Sequence, residues 1–254
     1  MPKFDPDSTA VVIGASGGIG LAMTRKLLAD SRFSQVIATC RDPEHAEDLL
    51  DLTEQFDSLQ LTDLEATDPD SFSRLSAHLQ DHNLKPDLVI YCAGLLHSGS
   101  QVQPEKRLED IELSAMERVF AVNTFGPALM FKSLLPLLGR NDRCVMAVIS
   151  ARVGSIEDNR LGGWYAYRAS KAGLNQIMRT ATIEARRRFK GCILTCVHPG
   201  TTDTGLSRPF QSNVPANKLF SPEFVAERFM AIFEGLKAED SGAFLAWDGE
   251  SIPW

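Results

Sequence analysis

The five cysteines of this 254-residue chain, Cys40, Cys92, Cys144, Cys192 and Cys196, form no CxxC pair and no cluster with histidine at zinc-ligand spacing. That excludes a zinc ribbon or finger, and no metal site is expected. Most lie in apolar, strand-like runs. Cys192 and Cys196 would share one strand face, but free buried thiols in a reducing compartment are the expectation. A basic excess is also missing: the formal net charge is -7, which argues against a protein that neutralises nucleic-acid phosphates. The densest basic run, Arg186-Arg187-Arg188-Phe189-Lys190, reads as the last turn of a helix ended by Gly191. No apolar run reaches the length of a membrane span, and the opening MPKFDPDSTAVVIG lacks a basic stretch followed by an apolar one. A cytoplasmic protein with no membrane and no nucleic-acid partner is expected. Low-complexity linkers and long-period repeats are absent too, so residues 1–254 read as one domain.

What is present is an alternation. Continuous apolar runs of strand length occur at Thr9–Ile13, Gln35–Thr39, Leu59–Leu61, Leu88–Cys92, Cys144–Ile149, Ile193–Val197 and Ala243–Trp247, as parallel strands covered on both faces require. Helical patterns fill the gaps at Ile19–Asp30, Pro43–Phe56, Asp70–His82, Ala115–Leu138 and Trp164–Arg188. The expected fold class is α/β: a single-domain, Rossmann-type, doubly wound parallel sheet with helices on both faces. Two irregular stretches, 95–109 and 201–220, each follow a predicted strand. They should overhang a site at the strands' carboxyl ends.

Between the first strand and first helix, Gly14-Ala15-Ser16-Gly17-Gly18-Ile19-Gly20 supplies spaced glycines. Such a turn lets the backbone approach a pyrophosphate and aims helix N-terminal amides at it. The acid that would bind the ribose hydroxyls of NAD is missing after the second strand, where Thr39-Cys40-Arg41 stands. A guanidinium can clasp a 2′-phosphate, so NADP(H) is expected over NAD(H), the alternative being that Arg41 is a solvated surface charge.

Tyr167 and Lys171 lie four residues apart in Tyr-Arg-Ala-Ser-Lys, which stacks them on one helix face. A neighbouring ammonium favours the phenolate, so this spacing suits a phenol that exchanges a proton with a substrate oxygen. Alone, the pair would equally describe a packed aromatic beside a surface lysine.

Together these motifs resemble the short-chain dehydrogenase/reductase family, in order and across nearly the whole chain. They are the Gly14/Gly18/Gly20 turn, Asp63-Leu64, Tyr91-Cys92-Ala93-Gly94, Asn123 in Val-Asn-Thr-Phe-Gly, Tyr167xxxLys171, and Pro199-Gly200-Thr201-Thr202-Asp203-Thr204. More narrowly, Ala-Thr-Cys-Arg, Cys-Ala-Gly and Gly-Gly-Trp-Tyr-Ala-Tyr-Arg-Ala-Ser-Lys resemble the branch holding Sniffer-type carbonyl reductases and bacterial C-factor-like proteins. The resemblance implies an NADP(H)-dependent oxidoreductase acting on a small carbonyl or alcohol. It implies that Ser16, Ile19, Pro199, Gly200 and Thr202 join the glycines and Arg41 around the cofactor. Asp63 would hold the adenine amine beside Leu64, and Ala93 and Gly94 would pack beneath the dinucleotide. Asn123 would kink its helix and order a water leading to Lys171. Lys171 would contact the nicotinamide ribose and lower the Tyr167 pKa, and Thr204 would bind the carboxamide. A homodimer or homotetramer through the long helices is implied as well.

Three positions depart from the family pattern: Tyr91-Cys92 stands for Asn-Asn, Ile13 for Thr, and Ala151 for the substrate-binding serine three residues before Gly154. Ser150 is the favoured substitute, with Ser155 or no serine as alternatives; strand alternation would turn Ser150 away from the Ala151 side. Leu95, Leu96, His97, Ile156, Leu161, Trp164, Leu206 and Phe210 are the candidate substrate wall. Two rival readings stand beside the enzyme. One is an NADP(H)-binding regulatory or signalling protein of C-factor-like kind. The other is a nucleotide-sugar dehydratase or epimerase, whose usual extra C-terminal region is not matched by the few residues after Trp247.

Overall fold

The computed structural model describes residues 4–254; residues 1–3, where the opening stretch analysed above begins, lie outside the described residues. Seven parallel strands form the central sheet in the order β3-β2-β1-β4-β5-β6-β9: β1 (Ser8–Ile13), β2 (Phe33–Cys40), β3 (Leu59–Asp63), β4 (Leu88–Tyr91), β5 (Cys144–Ile149), β6 (Cys192–His198) and β9 (Ala243–Ala246). A two-stranded ladder, β7 (Thr201–Thr202) with β8 (Leu219–Phe220), stands apart. All six residues of β1 are buried because both faces of the sheet are covered. Val12 points into a core built with α1 (Gly18–Leu28), α2 (Glu47–Gln55) and α7 (Pro222–Gly235). Its neighbours Val11 and Ile13 point into a second core with α3 (Pro69–Asp81), α5 (Gly126–Leu134) and α6 (Tyr165–Arg188). Burial of every side chain on both faces is what selects continuous apolar runs over alternating ones.

Strand order reverses between β1 and β4, so the connections leaving their carboxyl ends diverge and open a crevice there. Parts of stretches 95–109 and 201–220, Leu95–Ser98 and residues between Thr201 and Val214, line it.

Several expected elements differ. The run 115–138 is not one helix: α4 (Leu113–Phe120) passes through a π-helical turn at Ala121–Phe125 before α5 and a final 3-10 turn. The run 43–56 is split into a 3-10 turn at Pro43–His45 and α2. Helix α7 went unrecognised, although Ser221 caps it by accepting from the Phe224 amide at 3.1 Å and Pro222 opens its first turn, both recognisable start signals. Helix α6 ends at Arg188 with its basic last turn as expected, but the cap residue is Phe189 and Gly191 is not its stop. Gly191 instead meets the 141–142 turn so closely that a Cβ would lie 2.3 Å from the Asp142 carbonyl oxygen. All five cysteines are free thiols, and Cys192 and Cys196 do share one face of β6.

Candidate active site

The carboxyl ends of β1, β4, β5 and β6 border a cleft of about 1180 Å³, above the usual 300–1,000 Å³ of a small-ligand pocket and thus roomy enough for two ligands side by side. At one end lies the glycine turn. Gly14 has φ +81, and a Cβ there would sit 2.7 Å from the Ala93 amide nitrogen; at Gly20 it would sit 2.1 Å from the Gly14 carbonyl. The turn is therefore pressed against β4 and its own start, with Gly14, Ser16, Gly18 and Ile19 facing the cleft and Gly20 packed behind. Helix α1 begins there without a capping side chain, which leaves first-turn amides free for an anion. Across the cleft, the His198 Nδ1 is buried with no partner among the described residues, and burial lowers that imidazole to about 4. An uncapped helix start and an orphaned ring nitrogen beside Pro199-Gly200 both fit a dinucleotide laid across the strand ends.

Arg41 is exposed and lines the cleft after β2, and Leu64, Ala93, Gly94, Gly200, Thr202 and Thr204 line it as well. Asp63 stands outside this lining: its carboxylate accepts from the Arg74 Nη2 at 3.0 Å. An exposed guanidinium one helix away offers Asp63 a charge-assisted partner, so the sequence placed its side chain more centrally than the fold does.

Tyr167 occupies the first turn of α6 and Lys171 the next turn, both buried, with the Lys171 Nζ 5.8 Å from the phenol ring centroid. The ammonium donates to the Ile149 carbonyl at 2.8 Å. Burial drives both groups toward neutrality: it lowers Lys171 to about 8 and raises Tyr167 above its usual range. The lowering by Lys171 that the spacing implies is not what shifts the phenol here: burial is the cause of its rise.

Asn123 sits inside the π-helical turn. Its Oδ1 accepts from the Leu95 amide at 2.8 Å, and its Nδ2 donates to the Leu95 carbonyl at 2.8 Å and the Ser170 hydroxyl at 3.1 Å. It ties the β4 exit to α6. The widened turn has a second beneficiary: Tyr91, where the family pattern has asparagine, donates its hydroxyl to the Val122 carbonyl at 2.7 Å. Gly126 makes room, since a Cβ there would lie 2.1 Å from that hydroxyl.

The serines resolve differently from expectation. Ser150 is buried at the cleft wall, but its single hydroxyl proton goes to the Asn175 Oδ1 at 2.7 Å. Asn175 in turn donates to the Gly154 carbonyl at 3.4 Å, so the pair pins the β5–α6 connection. Ser155 lies off the cleft; it donates to the Trp254 carbonyl at 3.3 Å and accepts from the Asp158 amide at 3.1 Å. The C-terminal Ile252-Pro253-Trp254 therefore anchors this connection: Ile252 is buried, and the Trp254 ring stacks on Phe244 at 5.5 Å. Ala151 packs instead with the apolar group around Tyr167. In that group Trp164 meets Tyr167 at 6.1 Å and Phe210 at 5.0 Å, and His97 meets Phe210 at 5.7 Å. Of the residues expected to wall a substrate, Ile156 lies off the cleft lining and is 78% exposed, and Leu161 lines the cleft but is 92% exposed.

Sequence reasoning missed Glu105. Helix α6 has no local side-chain cap, and its cap residue, Trp164, sits at φ 53 in the left-handed region, a conformation that costs a non-glycine residue about 1–2 kcal/mol. Buried Glu105 offsets this from 61 residues upstream. Its carboxylate accepts from the Ala166 amide at 3.2 Å and its carbonyl from the Trp164 amide at 2.6 Å. Removing a cap typically costs about 1 kcal/mol, and orphaning the buried amide adds to it, so Glu105→Ala should lower stability by roughly 1–2 kcal/mol. Glu105→Gln, which keeps an acceptor, should recover most of that. Urea unfolding of the three proteins checks both.

The sequence profile of the short chain dehydrogenase family matches residues 8–215. A 1-hydroxy-2-glutathionyl-2-methyl-3-butene dehydrogenase of Rhodococcus sp. (strain AD45) is 28% identical over 247 residues, 97% of this chain and 100% of that one. The short chain dehydrogenase gsfK of Penicillium aethiopicum is 30% identical over 265 aligned positions, 97% of this chain and 99% of that one. The crystal structure of an NADPH-bound carbonyl reductase from chicken fatty liver superposes with a TM-score of 0.86 at 28% identity, covering 99% of this chain and 96% of that one.

Proposed function

The chain belongs to the short-chain dehydrogenase family, and on that premise we propose that it is an NADP(H)-dependent oxidoreductase of carbonyl reductase type, with Tyr167 as its acid/base. The observation that carries this reading is the placing of a buried Tyr167–Lys171 pair on the wall of the cleft that also holds the uncapped glycine turn. Gly14, Ser16, Gly18, Ile19, Arg41, Leu64, Ala93, Gly94, Pro199, Gly200, Thr202 and Thr204 would hold the dinucleotide, with Gly20 supporting the turn from behind and Asp63, paired with Arg74, outside the lining. The nicotinamide supplies or accepts the hydride that a protein side chain cannot.

The chain's own residues handle the proton. In the reductive direction the phenol of Tyr167, kept protonated by burial, donates to the substrate oxygen. The Lys171 ammonium then stabilises the phenolate left behind. Asn123 holds the Ser170 turn between these two residues in place. Ser150 joins the set by way of Asn175: to donate to a substrate oxygen it must first release that bond, because a hydroxyl has one proton. Trp164, Phe210 and Leu206 would exclude water from the reacting carbonyl. Leu113, Phe125 and Ile183 leave apolar surface exposed on α4, the α4–α5 junction and α6, and association of copies through these helices belongs to the same reading.

Two measurements test it. NADPH consumption with a panel of aldehydes, ketones and quinones should accompany NADPH binding followed by fluorescence; binding with no consumption would favour a regulator. The pH profile is the second. A lysine titrating at about 8 is charged below that pH and neutral above it. Reductive kcat/KM should therefore hold up to about pH 8 and decline above. A limb that stays flat past pH 10, where an ordinary lysine titrates, would remove Lys171 from its role.

A further inference from the structure

The chain as a whole is acidic, with a net charge of -7, yet the substrate end of its cleft is not. Arg152, Arg160 and Arg168 all line the cleft there, and Asp158 is the one carboxylate among them. Three guanidiniums against one carboxylate leave two positive charges. Asp158 is already engaged, paired with Arg152 at 3.3 Å. Arg168 is half-buried, and its hydrogen-bond partners are the carbonyls of Gly162, Gly163 and Val153 at 3.0–3.4 Å; burial lowers its pKa. Among the described residues neither Arg160 nor Arg168 forms an ion pair or meets a carboxylate.

Asp158 raises the Arg168 pKa, but burial is the larger influence and every hydrogen bond of the guanidinium goes to a neutral carbonyl, so this partly desolvated charge is one that a bound anion can stabilise further. Arg160 is exposed at the mouth of the same cleft and free to complete such a contact. These arginines come from the β5–α6 connection and the first turn of α6, two strands across the sheet from the glycine turn after β1. The phosphates of a dinucleotide seated on that turn and on Arg41 are therefore accounted for elsewhere. Deeper in, beside Tyr167, the wall is apolar and aromatic. A ligand matching both zones has an apolar body around its carbonyl and an oxyanion at its outer end.

Building on the proposed reduction, we propose that the substrate class is an amphipathic carbonyl compound, or the corresponding alcohol, whose terminal oxyanion is bound by Arg160 and Arg168. Guanidinium donors serve carboxylates and phosphates alike, so the test includes both. NADPH oxidation is compared for 4-formylbenzoate, 4-formylphenyl phosphate and the neutral methyl 4-formylbenzoate. At least one anion should exceed the ester in kcat/KM by about tenfold, the lower end of what a charge-assisted contact provides, with the gain in KM rather than kcat. In Arg160→Gln, which removes a side chain with no hydrogen bond to the fold, that ratio should fall by threefold or more. An ester reduced as efficiently as both anions, or a ratio unmoved by the substitution, overturns the proposal. Calorimetric titration of 4-methylbenzoate, which has no reducible carbonyl, into the NADP-loaded protein separates this inference from the reading beneath it. Arg160-dependent binding without turnover of any aldehyde would uphold the anion site and sink the reductase. Turnover with neither anion preference nor Arg160-dependent binding would do the opposite.

Discussion

Tyr167→Phe should reduce NADPH-dependent turnover by roughly a hundredfold or more while leaving a folded protein that still binds the dinucleotide. The magnitude follows from what is removed: a positioned proton donor contributes about 10²–10⁴ to such a reaction, and phenylalanine has nothing to give the substrate oxygen. Folding should survive because the ring, not the hydroxyl, makes the structural contacts. It packs against Trp164 and the apolar group of Leu96, Val102 and Val119, and no protein group among the described residues hydrogen-bonds to the hydroxyl. Loss of one hydrogen bond to the cofactor would weaken NADPH binding by less than about tenfold. Single-turnover rates with saturating NADPH, beside a fluorescence titration of NADPH, read the two effects separately. Turnover within a few-fold of the parent protein would mean that the proton arrives by another route. The burial that raises Tyr167 also makes the variant less perturbing, since the phenol enters the reaction already neutral.

Why the sequence foretold the sheet but not all of the site is a matter of range. The buried run of β1 and the glycines after it act on their immediate neighbours, so their roles survive transfer from string to structure. The π-helical turn at 121–125 does not announce itself, because the apolar period of α4 and α5 runs on through it. Its cause is tertiary: Asn123 bridging Leu95 and Ser170, and the Tyr91 hydroxyl taking the Val122 carbonyl. Glu105 reads as one more charge in a loop until the fold brings it to the start of α6. The rise of Tyr167 has a related cause. Spacing reports the lysine, whereas desolvation depends on everything packed around the ring. Ser150 and Ala151 both line the cleft, but the Ser150 hydroxyl is bonded to Asn175 while Ala151 packs with the apolar group around Tyr167, a division that depends on where Asn175 falls in the fold. Helix α7 is legible by the same local logic, from its Ser221-Pro222 start and the spacing of Val225, Phe229 and Phe233.

Arg41→Asp should invert the choice of dinucleotide, moving the NADPH-to-NADH ratio of kcat/KM by on the order of a hundredfold or more. The argument is one of local charge. At the end of the cleft beyond the glycine turn, Arg41 is the lining cation and Glu65 the lining anion. The acids nearby are already committed, Asp42 to His45 at 2.8 Å and Asp63 to Arg74 at 3.0 Å. A 2′-phosphate placed there meets one guanidinium able to grip it in a fork of donors. Losing a charge-assisted hydrogen bond costs about 1.5–3 kcal/mol, which by itself is about ten- to a hundredfold. The aspartate then adds a repelling charge next to Glu65 while offering acceptors to the free ribose hydroxyls of NADH. Both changes push the ratio the same way, and neither disturbs the core, because Arg41 is exposed at the end of β2 and Cys40 before it provides the buried contact. Steady-state kinetics with both dinucleotides at low and high salt measures the shift, and the parent's preference for NADPH should itself weaken as salt screens the exposed guanidinium. An unaltered ratio would leave Arg41 a solvated surface charge and return the specificity to the amides of the glycine turn.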